Sequence, residues 1–213
     1  MTTIVYIVLG IVGVVFLVSI VWRRASRRWL LPCPTWLGWL VEFDSPFSQY
    51  GSRGIISNLG LQSGMKVLDV GCGPGRLAIP IAQQVGSNGE VVAIDIQPGM
   101  LRRAKEKASK VNVHNIQFLQ VEVGEGTLGS NLYDRALLVT VLGEIPKREA
   151  ALKGIFDALK PAGLLSVTEI ILDPHFQKHK SVLKLAGAIG FKEKSFFGNS
   201  FVFTSILEKP LAP

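Results

Sequence analysis

The chain has 213 residues, 48% of them hydrophobic, with a mean hydropathy of +0.34, enough for one ordinary domain plus apolar material beyond what its core requires. The net charge of +7 suggests nucleic acid, but Arg23, Arg24, Arg27 and Arg28 supply four of the seven and the remaining +3 is spread over helical faces such as Arg102 to Lys110, so nucleic acid is an unlikely partner. Cys33 and Cys72 stand in unrelated contexts, which excludes a disulfide framework, a Cys/His metal site and a redox pair.

The apolar excess lies at the start. Thr3 to Trp22 carries no charge and is followed at once by the basic stretch Arg23 to Arg28. A run of about 20 apolar residues is long enough to span a bilayer as a helix. A secretory signal peptide would place its basic residues before a shorter apolar run and end at a small-residue cleavage site, and neither feature is present. The expectation is therefore a single-pass membrane anchor over residues 1–28, the N-terminus outside and the remaining domain cytoplasmic, with the arginines held inside. Residues 29–48 form an aromatic connector. Its Trp36, Leu37, Trp39, Leu40 and Phe43 recur at roughly helical spacing, suited to packing on the domain, lying among lipid headgroups or lidding a pocket.

From residue 49 to 213 helix and strand patterns alternate. A helix is expected over Gln49–Asn58, then a strand over Lys66–Val70, a helix over Gly75–Val85, a strand over Val91–Asp95 and a helix over Gly99–Lys110. Strands follow over Ile116–Val121 and Asp134–Val141, a helix over Lys147–Leu159, a strand over Gly163–Ile171, and a helix over Lys178–Ile189. The chain closes with strands over Phe191–Phe197 and Ser200–Glu208. Gly198-Asn199 between the last two is a hairpin signal. Apolar strands alternating with helices specify an α/β Rossmann-like, doubly wound, mostly parallel seven-stranded sheet with an antiparallel C-terminal pair.

The chemistry begins at VLDVGCGPGRLA, Val67 to Ala78, a buried strand that turns through three glycines into a helix. In an open α/β sheet, ligands bind beyond the carboxyl ends of the strands. A triphosphate loop requires Gly-Lys-Ser/Thr, whereas Gly75 is followed by Arg76 and Leu77. A dinucleotide loop places its third glycine one residue later than Gly75 does. Asp69 also ends the strand, and a carboxylate there favours a cationic group over a pyrophosphate. Asp95 closes the next strand, where nucleoside-binding sheets place a ribose-diol acceptor. Glu122 follows the third. The ligand is adenosine-like with a positive, amino-acid-like end.

With VLDVGCGPG, AIDIQPGML, Glu122, YDRALLVTVLGEIP and ALKPAGLLSVTE in this order, the sequence resembles the class I S-adenosylmethionine-dependent methyltransferases over about Gly51 to Lys209. Within that family it looks most like the ubiquinone/menaquinone C-methyltransferase branch. The resemblance implies S-adenosyl-L-methionine as cofactor. It places Asp69, Gly71, Cys72, Gly73 and Gly75 around the methionine part, Asp95 on the ribose hydroxyls and Ile96 against adenine. Glu122 stands where the family usually has Gly-Asp-Ala, with the Val123 amide toward adenine. Leu142 and Gly143 would lie under the cofactor. Asp69 as a helix cap and Asp95 as a turn residue are the ordinary structural alternatives.

Methyl transfer from a sulfonium is an in-line displacement, and a general base is needed only where the nucleophile starts protonated. Candidate catalytic groups lie at the carboxyl ends of the fourth and fifth strands: Glu144, then Glu169 and His175, with Asp173 beside them. Glu144 and Asp173 have simpler readings as a helix cap and a turn. The expected substrate is a lipophilic small molecule, quinone- or lipid-like. Oligomeric state is not legible. A protein or nucleic-acid methyltransferase using the anchor only for localisation, and a non-catalytic cofactor-binding adapter, remain as alternatives.

Overall fold

A computed structural model describes residues 51–124 and 128–211, with scattered helical positions between Tyr6 and Arg28. The expected anchor over residues 1–28 lies largely outside the described residues, and the connector over 29–48 lies wholly outside them. Among the described residues no helix is long and apolar enough to cross a membrane.

The domain runs α1 (Ser52–Asn58), β1 (Lys66–Val70), α2 (Ala78–Val85), β2 (Glu90–Asp95), α3 (Pro98–Lys110), β3 (Ile116–Gln120), β4 (Tyr133–Val139), α4 (Arg148–Ala158), β5 (Leu159–Ile170), α5 (His179–Ile189), β6 (Lys192–Gly198) and β7 (Val202–Glu208). The strands form one sheet in the order β3-β2-β1-β4-β5-β7-β6. The first five are parallel, and β7 lies antiparallel between β5 and β6. This is the expected architecture, C-terminal pair included.

Alternate residues of each strand point to opposite faces, and each face has its own core. Leu68, Val70, Val92 and Ile94 pack with Leu152 and Ile155 of α4 and Val182 of α5. Val67, Val91 and Ala93 pack on the other face with Ile55 of α1, Ile81 of α2 and Leu101 of α3. Each fully buried aliphatic side chain contributes about 1.5–3 kcal/mol relative to exposure. Asp69 and Asp95 share the parity of the second set, so the strand geometry turns both carboxylates toward the α1–α3 side.

Element ends differ from the sequence expectation where local backbone intervenes. Helix α2 begins three residues late, because Gly73 and Gly75 take positive φ (52° and 81°) and hold the loop out of helical geometry. Strand β4 stops at Val139 because Thr140 adopts φ 56°, a left-handed conformation unusual for a β-branched residue. Strand β5 starts four residues early, pairing Leu159 with Tyr133 before a register shift. Helix α3 starts at Pro98, whose fixed φ and missing N–H suit a first turn.

Candidate active site

The carboxyl ends of β1, β2, β4 and β5 lie together at one end of the sheet, and the loops leaving them build the site. After β1, the Gly71 and Cys72 amides both donate to the Ile94 carbonyl, at 2.8 and 3.0 Å, tying the glycine loop to β2. A side chain on Gly71 would strike Val141, which the Thr140 turn brings over it. At Gly73 the space is open: a Cβ there would meet nothing within 4 Å. The loop therefore presents bare backbone to a ligand at Gly73 and packs tightly at Gly71.

Asp95 organises this loop. Its Oδ2 accepts from the Gly73 amide at 2.9 Å and its Oδ1 from the Gln97 amide at 2.8 Å. Charge-assisted bonds of this kind are worth about 1.5–3 kcal/mol. Burial raises the carboxyl pKa, against those amides. Two carboxylate oxygens offer about four lone-pair directions, so acceptor capacity remains for a diol. Ile96 presents an exposed apolar side chain beside it. The Ile96 carbonyl accepts from Gln120 Nε2 at 3.1 Å, linking the end of β3 to the same rim.

Asp69 is buried, with one oxygen, Oδ2, lacking any hydrogen-bond partner. Burial pushes its pKa up to about 7, opposed by Arg76 and assisted by Asp95, while the Ala78 amide at the start of α2 favours the ionised form. The carboxyl thus senses the start of α2, while Oδ2 is left without a partner. Cys72 is buried between these carboxylates, which drives its thiol pKa far upward and makes it unreactive.

A second polar cluster lies at the same end of the sheet, at the carboxyl ends of β4 and β5. Glu169, near the end of β5, is 1% exposed. Its Oε2 accepts from the Gln177 amide at 2.9 Å, whereas Oε1 has no partner. Burial pushes its pKa up to about 8, with Gln177 and Arg148 opposing and Asp173 and Glu144 assisting. His175 is 5% exposed, and neither ring nitrogen makes a hydrogen bond of good geometry. Its Nδ1 lies 3.7 Å from Glu144 Oε1, and this carboxylate is the main cause of a raised His175 pKa, against burial. The backbone of Ser26, itself buried, adds in the same direction and places the end of the N-terminal helical stretch at this cluster.

Of the six buried side-chain atoms without a partner among the described residues, four belong to Asp69, Glu169 and His175. Leaving such a group unsatisfied costs about 1–3 kcal/mol, so their concentration at one end of one sheet marks a ligand site.

The remaining candidates are placed as follows. Glu122 is exposed after β3, and Val123 is half-buried against the α4–α5 core. Leu142 is fully buried in that core, and its carbonyl accepts from Arg148 Nε at 3.1 Å. Asp173 Oδ1 accepts from the His175 amide at 2.6 Å, the turn role expected of Asp-Pro. Sequence reasoning missed Arg148, whose Nη2 also donates to the Gly143 carbonyl at 2.9 Å and fixes the turn after β4. It also missed the packing of the His175 backbone directly on Gly143, where a Cβ would collide with it. A glycine and an arginine five residues apart after a strand were the only signals.

With this geometry in place, comparison with known proteins is specific. A family model described as "Methyltransferase domain" matches residues 61–204. The demethylmenaquinone methyltransferase of Staphylococcus aureus (strain MRSA252) is 33% identical over 115 residues, covering 54% of this chain and 47% of that protein. The ubiquinone/menaquinone biosynthesis C-methyltransferase UbiE of Pasteurella multocida (strain Pm70) is 34% identical over 119 residues, covering 54% and 44%. The chain spans about half the length of the curated relatives it matches. The crystal structure of a SAM-dependent methyltransferase from Aquifex aeolicus superposes with a TM-score of 0.74 at 21% identity, over 83% of this chain and 99% of that one, a likeness of fold.

Proposed function

Given that this chain belongs to the methyltransferase-domain family, with S-adenosylmethionine as its cofactor, we propose that it is a membrane-anchored enzyme methylating a lipophilic small molecule of quinone or lipid type. The observation that carries the reading is the pairing of two half-sites at one sheet end. Asp69 and Asp95 flank a bare glycine loop after β1 and β2, and buried Glu169 and His175, with half-buried Glu144, lie after β4 and near the end of β5 at the same end of the sheet. The relatives' names supply the quinone class. The uncharged run Thr3 to Trp22 supplies the anchor, with residues 29–48 as connector and 49–213 as the domain inside the cell.

The residues present fit the cofactor. The unpartnered Asp69 Oδ2 matches an ammonium, the open backbone at Gly73 leaves room for a ligand, Asp95 retains acceptor capacity for a ribose diol, and Ile96 offers an apolar shelf for a base. When bound, S-adenosylmethionine supplies an electrophilic methyl on a sulfonium. Everything else falls to the chain: to hold the acceptor in line, exclude water and manage one proton. Glu169 binds a proton at about pH 8, far more tightly than an exposed carboxylate. Its ionised form can take the proton that a phenolic acceptor loses as its ring becomes nucleophilic. His175, held toward its charged form by Glu144, stabilises the negative charge left on the acceptor oxygen.

The test is incubation of the full chain with methyl-labelled cofactor and a membrane-lipid extract. Label in an extractable lipid supports the reading. Label in added soluble protein, with none in lipid, overturns the substrate class.

A further inference from the structure

The carboxyl end of the sheet carries an exposed apolar projection. Strands β6 and β7 meet in a hairpin whose tip bears Phe196, Phe197 and Phe201, all exposed, and Phe201 is 62% exposed. The tip is held firmly. Asn199 Oδ1 accepts from the Phe201 and Val202 amides at 2.8 and 3.1 Å, and the Asn199 amide donates to the Val202 carbonyl at 2.9 Å. The Phe201 carbonyl accepts from the Ile171 amide at 2.7 Å, clamping the tip to the segment that follows β5. Leu172, next in that segment, is 80% exposed. Phe196 and Phe197 lie on opposite faces of β6 and Phe201 projects at the turn, so apolar surface is exposed on both sides of one hairpin tip, which marks a contact surface.

Charge and position identify what it meets. The His179 ring lies 4.4 Å from the Phe196 ring, so the first turn of α5 stands beside the tip with exposed Lys178 and Lys180 on either side. The nearby acidic groups are engaged internally: Glu193 with His179 at 2.7 Å, and Asp173 with the His175 amide. A projecting aromatic tip flanked by lysines matches an anionic bilayer, with rings among the acyl chains and ammonium groups at headgroup level. The N-terminal stretch reaches the domain at this same end, through Ser26 beside His175, and its described positions Val14, Leu17, Val18 and Val21 are exposed and apolar.

We infer that the β6–β7 tip, with Leu172, is a second membrane contact that inserts into an anionic lipid surface and faces the mouth of the active site toward the bilayer. The inference rests on the proposed membrane location and deepens it: a lipophilic acceptor then enters from the lipid phase beside Glu169 and His175.

The test uses the full chain carrying Cys33→Ser and Phe201→Cys, labelled with the polarity-sensitive fluorophore NBD. The parent with Cys33→Ser alone, which retains buried Cys72, serves as the blank. A label at Ser87→Cys, in the loop before β2 at the opposite end of the sheet, is the control. On adding phosphatidylcholine/phosphatidylglycerol vesicles, the label at 201 is expected to shift to shorter wavelength and to be quenched by lipids spin-labelled on their acyl chains, while that at 87 stays water-like. Vesicle binding with no change at 201 overturns the tip and leaves the anchor standing. A chain that does not bind vesicles at all overturns both. A shift at 201 that appears without lipid as protein concentration rises identifies a second copy of the chain as the occupant and also overturns the inference. Methylation confined to soluble acceptors, with the tip inserted, defeats only the substrate reading.

Discussion

The Gly73 amide donates to Asp95 Oδ2 at 2.9 Å, so the glycine loop after β1 and the carboxylate that ends β2 are one mechanical unit. Replacing Asp95 with alanine removes the proposed ribose acceptor and the bond that holds the loop at once. Loss of one charge-assisted bond of about 1.5–3 kcal/mol is a fall in cofactor affinity of roughly 10- to 100-fold. Calorimetric titration with S-adenosylhomocysteine measures it, and Asp95→Asn, which keeps one carbonyl acceptor, should lose less.

Asp69 is expected to set the pH dependence of cofactor binding. With its carboxyl pushed up to about 7, it is increasingly protonated below neutrality, and a protonated Asp69 offers a cationic ligand no charge. Affinity should therefore fall by up to about tenfold for each pH unit below 7, and be nearly flat in Asp69→Asn. Titrations across that range distinguish this from a purely helix-capping role, in which the two curves would run parallel.

Glu169 makes a separate prediction about stability. A carboxyl whose folded-state pKa exceeds its unfolded value holds its proton more tightly when folded. Unfolding then releases protons, and the contribution present at low pH is lost as pH rises from about 4.5 to about 8. Thermal melts of the chain without cofactor should show Glu169→Gln losing less stability than wild type across that interval. In turnover, the Gln variant should lose the rate increase that wild type shows as pH approaches 8, with cofactor affinity little changed.

The contact between Gly143 and the His175 backbone predicts a positioning effect. Gly143→Ala inserts a methyl where the His175 carbonyl sits, and relieving that overlap costs about 1–3 kcal/mol and moves the His175 loop. The expected result is a lower kcat with cofactor affinity largely retained, and a pH–rate profile altered because His175 no longer meets Glu144. Stability loss with unchanged catalytic parameters in the folded fraction would make the glycine a packing residue only.

Which parts of this site were legible follows from how far each depends on tertiary structure. Asp69 and Asp95 end apolar strands, and strand geometry alone brings neighbouring parallel ends to one edge, so their pairing could be read along the chain. Glu169 and His175 were legible for the same reason, as polar residues at and just beyond the end of a buried strand. Gly143 against His175 was not, because it depends on two loops more than thirty residues apart packing backbone to backbone. Arg148 reads as an ordinary helix-start cation until the carbonyls of Leu142 and Gly143 are seen beneath it. The early end of β4 was hidden because nothing in Thr140 announces a positive φ. The hairpin was announced by Gly198-Asn199, but the outward aromatics around it read as ordinary strand residues.

The proposed reaction is methylation of a lipophilic acceptor at the carboxyl end of the sheet, with Glu169 handling the proton. The most direct measurement is methyl transfer from labelled cofactor into a quinol-containing lipid extract, wild type run beside Glu169→Gln. Labelled lipid is expected with wild type, and a rate at least about 100-fold lower with the variant, the usual reach of a positioned base. Labelled soluble protein without labelled lipid, or a Glu169→Gln rate equal to wild type, would contradict it.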